Sequence, residues 1–248
     1  MKNKLFRFQW SKDTSIALGS GVAVLLLSLA MNLFPDSPVM SILLRDVLMI
    51  FLLGFCFPLY FTCIKRGEKL AVLGIHREKL ALSLVLNVVF ACALLAMFLK
   101  GNTQTLSFTR NALFAVSYIF AAGIFEMVFL YGFLRAQFER AFGTIPAIVL
   151  TAVFYSLHHA GFQPEFGKLF LVGILYVSVF YLTRSLFVIF PFFWGIGAVW
   201  DVLVNSTAGN QLTNVLSFAV SMALFVLMAA ASAVLYRKRR ALDTAEFK

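Results

Sequence analysis

The chain has 248 residues, of which 61% are apolar or aromatic and 13% charged, with a formal net charge of +10. Soluble domains run near 45–50% apolar and about 25% charged, so this composition excludes a soluble enzyme, a disordered tail and a nucleic-acid-binding module. The basic excess instead has the use it has in membrane proteins, where Lys and Arg fix which side each loop occupies.

Eight apolar stretches approach the roughly 20 residues that a helix needs to cross a bilayer. In chain order they are 14–34, 40–63, 80–99, 112–134, 145–159, 168–183, 186–206 and 212–236. The first reads as a span and not a cleavable leader, being too long and lacking a small-residue cleavage pattern. Placing both termini in the cytoplasm puts 17 of the 21 basic residues inside, with Lys100, Arg110 and Lys168 outside and Arg45 within a span. That bias requires an even number of crossings. The expected fold is therefore an all-α polytopic integral membrane protein of about eight transmembrane helices, both termini cytoplasmic. Residues 1–248 form one membrane domain, with a basic cytoplasmic tail at 237–248. Only helices, or a closed barrel, satisfy their own backbone in lipid. The 29 Phe residues are expected to face lipid. Cys56, Cys63 and Cys92 have neither a metal-ligand spacing nor an even count.

Ionisable groups inside spans are costly and mark function. Arg45 and Asp46 read as a structural pair or a half-buried anchor, and His76 as a cytoplasmic residue. Glu126 falls in the fourth span, His158 and His159 late in the fifth, and Asp201 with Asn205 in the seventh. Asp201 and Asn205 share a face at i, i+4, as do Phe154 and His158, whereas His159 is turned about 100° away. At about 1.5 Å per residue, Glu126 lies roughly 14 Å, His158 roughly 20 Å and Asp201 roughly 22 Å from the cytoplasmic ends of their spans. The three helices thus bring these groups to similar depth. Glu126, His158, His159 and Asp201 could nominally ligate zinc, but no His-Glu-x-x-His spacing sets two ligands on one face and the adjacent histidines point apart, so no metal or other cofactor is expected.

A glutamate shortly before Gly132-Phe133-Leu134, then Phe154-x-x-x-His158, then a polar pair at i, i+4, resembles the CPBP family. This is the CAAX-prenyl-protease and bacteriocin-processing family, also called Abi, whose motifs are Glu-Glu-x-x-x-Arg, Phe-x-x-x-His and His-x-x-x-Asn. Leu70-Ala71-Val72-Leu73-Gly74-Ile75-His76-Arg77 is similar to the loop that often precedes its third span, and the resemblance runs over residues 65–206. Met127 stands in place of the second glutamate, Tyr131 in place of the arginine and Asp201 in place of the third-motif histidine.

The resemblance implies a glutamate-dependent intramembrane endopeptidase acting on a membrane-anchored or membrane-proximal protein, in a bacterial cell membrane, with the lipid bilayer and the substrate as its partners. Glu126 would act as general base toward water and His158 would hold that water and shuttle the proton. Asn205 would donate to the oxyanion. Asp201 would orient His158 or be protonated, and Tyr131, Phe154 and His159 would support the site. Two other readings are a catalytically inactive scaffold or regulator of another membrane protein, and a small transporter, for which no half-helix break or inverted repeat is visible.

Overall fold

The structure is a computed structural model that describes residues 5–101, 109–159, 161, 163–205 and 214–245, with the side chains of Asn205 and of 242–245 outside that description. It is built of helices, with no strand among the described residues. In chain order they are α1 (Lys12–Met31), α2 (Pro38–Lys65), α3 (Leu80–Gly101), α4 (Arg110–Phe142), α5 (Thr144–Leu157), α6 (Phe166–Thr183), α7 (Phe192–Val204) and α8 (Val215–Ala245). Six are long and apolar enough to cross a membrane, and α5 and α7 are shorter apolar helices. The protein is a multi-pass membrane protein.

Local chemistry sets several helix starts. Ser11, Ser37 and Thr109 each accept a hydrogen bond from the backbone N–H three residues on, at 3.2–3.3 Å, which satisfies a donor the first turn leaves unpaired. Gly143, at φ 91°, turns the chain between α4 and α5. The expected seventh span from residue 186 starts later, because Leu186–Val188 form a 3-10 turn and α7 begins only after Pro191. The expected edges at residues 206 and 212 lie outside the described residues.

The central element is α4. Every residue from Glu126 to Leu134 is buried, and over this stretch the helix widens to π-type hydrogen bonding. Such widening recurs at functional sites. Around α4 pack α1, α2, α5, α7 and α8, while α3 packs on α7 and α6 on α5. Large exposed apolar residues such as Leu26, Val85, Val89, Leu171 and Val226 cover the outer faces of α1, α3, α6 and α8, as a lipid-facing surface requires.

The expectation that phenylalanine faces lipid is overturned for much of the core. Phe61, Phe125, Phe129, Phe133, Phe138 and Phe180 are all 2% exposed or less. Lipid is as apolar as these rings, so dispersion and close fit hold membrane helices together, and glycines supply the room. A Cβ on Gly54 would lie 2.0 Å from the Phe125 ring, one on Gly21 2.6 Å from Phe154, and one on Gly123 2.4 Å from Trp194. Each glycine seats an aromatic ring of a neighbouring helix.

Candidate active site within the membrane

Glu126 sits at the α-to-π transition of α4 and is 7% exposed. Its two carboxylate oxygens have different neighbours. Oε2 accepts a hydrogen bond from Trp194 Nε1 at 2.7 Å. Oε1 faces two imidazoles, with His158 Nε2 at 3.4 Å and His159 Nε2 at 3.8 Å.

That both histidines face one carboxylate runs against the expected 100° separation. The reason is local: α5 ends at Leu157, and His158 and His159 lie in the turn beyond it. Gly161, at φ 81°, donates its N–H to the Leu157 carbonyl and closes the turn. His158 keeps the helical hydrogen bond to the Phe154 carbonyl while the His159 N–H turns to the Ser156 carbonyl, and the two rings stand 3.9 Å apart between centroids. Ser28 of α1 donates to the His158 carbonyl and ties this turn to the bundle.

The ring tautomers follow from one acceptor. His158 Nδ1 and His159 Nδ1 both bond the Tyr155 carbonyl, at 2.6 Å and 2.8 Å. A carbonyl only accepts, so each Nδ1 carries its proton, and in a neutral ring Nε2 is then an acceptor. Two Nε2 lone pairs and a carboxylate oxygen converge, all within 4.8 Å. Three acceptors facing one another need a shared proton or hydrogen-bond donors between them. A water molecule supplies two.

The same three atoms are also a donor set that a divalent metal accepts: two imidazoles and a carboxylate, with each ring's far N–H fixed by a carbonyl. Glu126, His158 and His159 are the residues that could hold one. Sequence spacing weighed against this set because, on a helix continued through both histidines, the two rings would point apart.

The site is reached through a cavity of about 570 Å³. Glu126, Tyr155, His159, Tyr176 and Trp194 line its base, apolar residues including Leu94, Phe98, Val172 and Phe193 its walls, and Gln163, Glu165, Lys168 and Asp201 its mouth. His159 is the histidine that lines it, with a side chain 33% exposed against 5% for His158.

The other expected site residues are placed as follows. Asp201 is at the mouth, half exposed, with its carboxylate 2.9 Å from Lys168 Nζ. It does not orient His158, because the Tyr155 carbonyl already occupies that ring's Nδ1. Asn205 closes the π-type turn begun at Asp201, and its side chain lies outside the described residues. Tyr131 is fully buried, its hydroxyl without a hydrogen bond among the described residues, with its ring 5.7 Å from Tyr155 and 6.1 Å from Tyr176. Phe154 is buried between Gly21 of α1 and Phe138 of α4. It holds the end of α5 in place and does not line the cavity.

Trp194 was not among the expected site residues. Tryptophan concentrates at membrane interfaces, and a buried indole N–H nearly always finds an acceptor. An indole in a seventh span that faces a Gly-containing fourth span was the available signal.

The structure is an all-helical membrane chain with a Glu126, His158 and His159 cluster in its interior. Residues 108–199 match the family described as Type II CAAX prenyl endopeptidase Rce1-like. No curated protein and no solved structure matches the chain. The CPBP resemblance thus stands over a stretch that holds Glu126, Tyr131, Phe154, both histidines and Trp194. Asp201 and Asn205 lie beyond it.

Proposed function

We propose that the protein is an intramembrane endopeptidase that hydrolyses a peptide bond of a membrane-anchored or membrane-proximal protein with water activated by Glu126. The observation that carries this reading is the convergence of Glu126 Oε1 with the Nε2 atoms of His158 and His159 at the base of a cavity. A water held there gives one proton to Glu126 as its oxygen attacks the scissile carbonyl carbon. The carboxylate is held by the Trp194 N–H on its other oxygen, which keeps Oε1 free for that proton. His159, open to the cavity, carries the proton on to the leaving amine, and His158 fixes the water from the buried side. Positioned acid–base transfer of this kind contributes about 10²–10⁴-fold in rate.

Asn205 as oxyanion donor and Asp201 as an accessory belong to the same proposal, as does a bacterial cell membrane as its location. Met127 and Tyr131, which replace family residues, favour the alternative of an inactive scaffold. The two readings separate when the purified chain is added to membranes from cells that lack it and the N-termini of all peptides are measured. New N-termini inside membrane proteins support the protease. Their absence, with the chain folded, leaves the scaffold.

A further inference from the structure

Resting on that catalytic reading, we infer that the Glu126 cavity opens on the non-cytoplasmic side of the membrane. Its substrate is then a membrane-anchored peptide presented at the outer face, and not a protein attached from the cytoplasm.

The bundle has two chemically distinct ends. At one, the N-terminus of α1 and the C-terminal ends of α2, α4, α6 and α8 are joined through basic residues. Arg66 pairs with Asp13 at 3.2 Å, Arg140 with Glu68 at 2.9 Å, and Arg135 and Arg184 both with Glu139 at 2.8 Å. Arg239 donates to the carbonyls of Gly67 and Glu68. The loop between α2 and α3 adds Lys69, Arg77 and Lys79. Basic residues concentrated next to span ends mark the cytoplasmic side.

The cavity mouth is at the other end. Gln163, Glu165 and Lys168 lie at the start of α6, and Asp201 lies at the end of α7. Lys168 already faces both Glu165 and Asp201, so the mouth carries more acidic than basic charge. From the basic end the way to Glu126 is filled. Phe129, Tyr131, Phe133 and Leu134, each 0% exposed, are among the eight residues between Glu126 and Arg135, and Arg135 lies roughly 14 Å along the helix from Glu126 at 1.5 Å per residue. One end is closed and basic, and the other is open, apolar-walled and acidic at its rim.

The test is cysteine labelling in intact cells. Gln163→Cys at the mouth and Arg77→Cys at the basic end are each placed in a chain whose Cys56, Cys63 and Cys92 are replaced by alanine. A membrane-impermeant maleimide is applied before and after permeabilisation. The inference expects Gln163→Cys to label at least tenfold more than Arg77→Cys in intact cells, and both to label after permeabilisation. Labelling of Arg77→Cys alone, of both equally, or of neither before permeabilisation overturns it. Glu165→Cys repeats the measurement should the Gln163→Cys chain fail to reach the membrane. Labelling reads the side of the opening whether or not peptides are cut. A failure here therefore leaves the catalytic reading intact, and loss of cleavage leaves the sidedness intact.

Discussion

Gly123 and Trp194 should behave as one unit, although neither position bears a charge. A Cβ at Gly123 would stand 2.4 Å from both Cη2 and Cζ3 of Trp194, and 3.0 Å from the Phe190 ring. Carbon atoms do not approach that closely, so in Gly123→Ala the indole must move, and its 2.7 Å hydrogen bond to Glu126 moves with it. Overpacking of this kind costs about 1–3 kcal/mol, against a gain of about 1 kcal/mol from replacing a helical glycine with alanine. In Trp194→Phe the ring stops short of the Cη2 position, and a charged hydrogen bond worth about 1.5–3 kcal/mol is lost. In that background the 2.4 Å clash is gone and the added methyl meets only the edge of the Phe190 ring at 3.0 Å, so Gly123→Ala should cost much less or turn neutral. The predicted coupling is the clash itself, about 1–3 kcal/mol. At about 2–4 °C per kcal/mol for a chain of this size, this is a difference of several degrees in detergent thermal unfolding between the two backgrounds. Strictly additive melting shifts for the two substitutions would refute the packing argument and with it the account of how Glu126 is held.

Further outcomes follow from single contacts. Asp201→Asn should lower cleavage by less than tenfold and stability by less than about 1 kcal/mol, because half-exposed ion pairs contribute little; a loss as large as that of a Glu126 variant would place Asp201 in the chemistry. Asp46 is buried, bonded to Arg45 at 2.9 Å and to Tyr118, so Asp46→Leu should destabilise by about 3–5 kcal/mol. Arg45→Met together with Asp46→Leu should recover much of that loss in the same unfolding assay. Treatment with a chelator such as phenanthroline should leave the cleavage rate within twofold; a loss reversed by added zinc would assign the Glu126, His158 and His159 cluster to a metal.

Much of the fold was readable from composition, because spans in a bilayer are recorded as run lengths, and each of the eight helices among the described residues falls on an expected apolar stretch. What was not readable depended on where a helix stops. His159 faces Glu126 because α5 ends at Leu157, two residues before the expected end at residue 159. The expected orienting of His158 by Asp201 is taken over by the Tyr155 carbonyl, which no side-chain pattern reveals. The phenylalanines could not be sorted into core and lipid-facing sets, since both surroundings are apolar and the sorting is done by glycines on neighbouring helices. Trp194 was missed for the corresponding reason: its partner is a residue 68 positions away.

The central claim is that Glu126 activates water for peptide hydrolysis. It is tested most directly by comparing the N-termini of membrane and secreted proteins from cells carrying the wild-type chain, Glu126→Gln or no copy, with the variant first shown to reach the membrane at normal level. The account predicts a set of N-termini present only with the wild type, and reduced at least a hundredfold in Glu126→Gln, within the range a positioned general base supplies. If Glu126→Gln gives the same N-termini as the wild type, Glu126 is not the base and the site does not work as proposed.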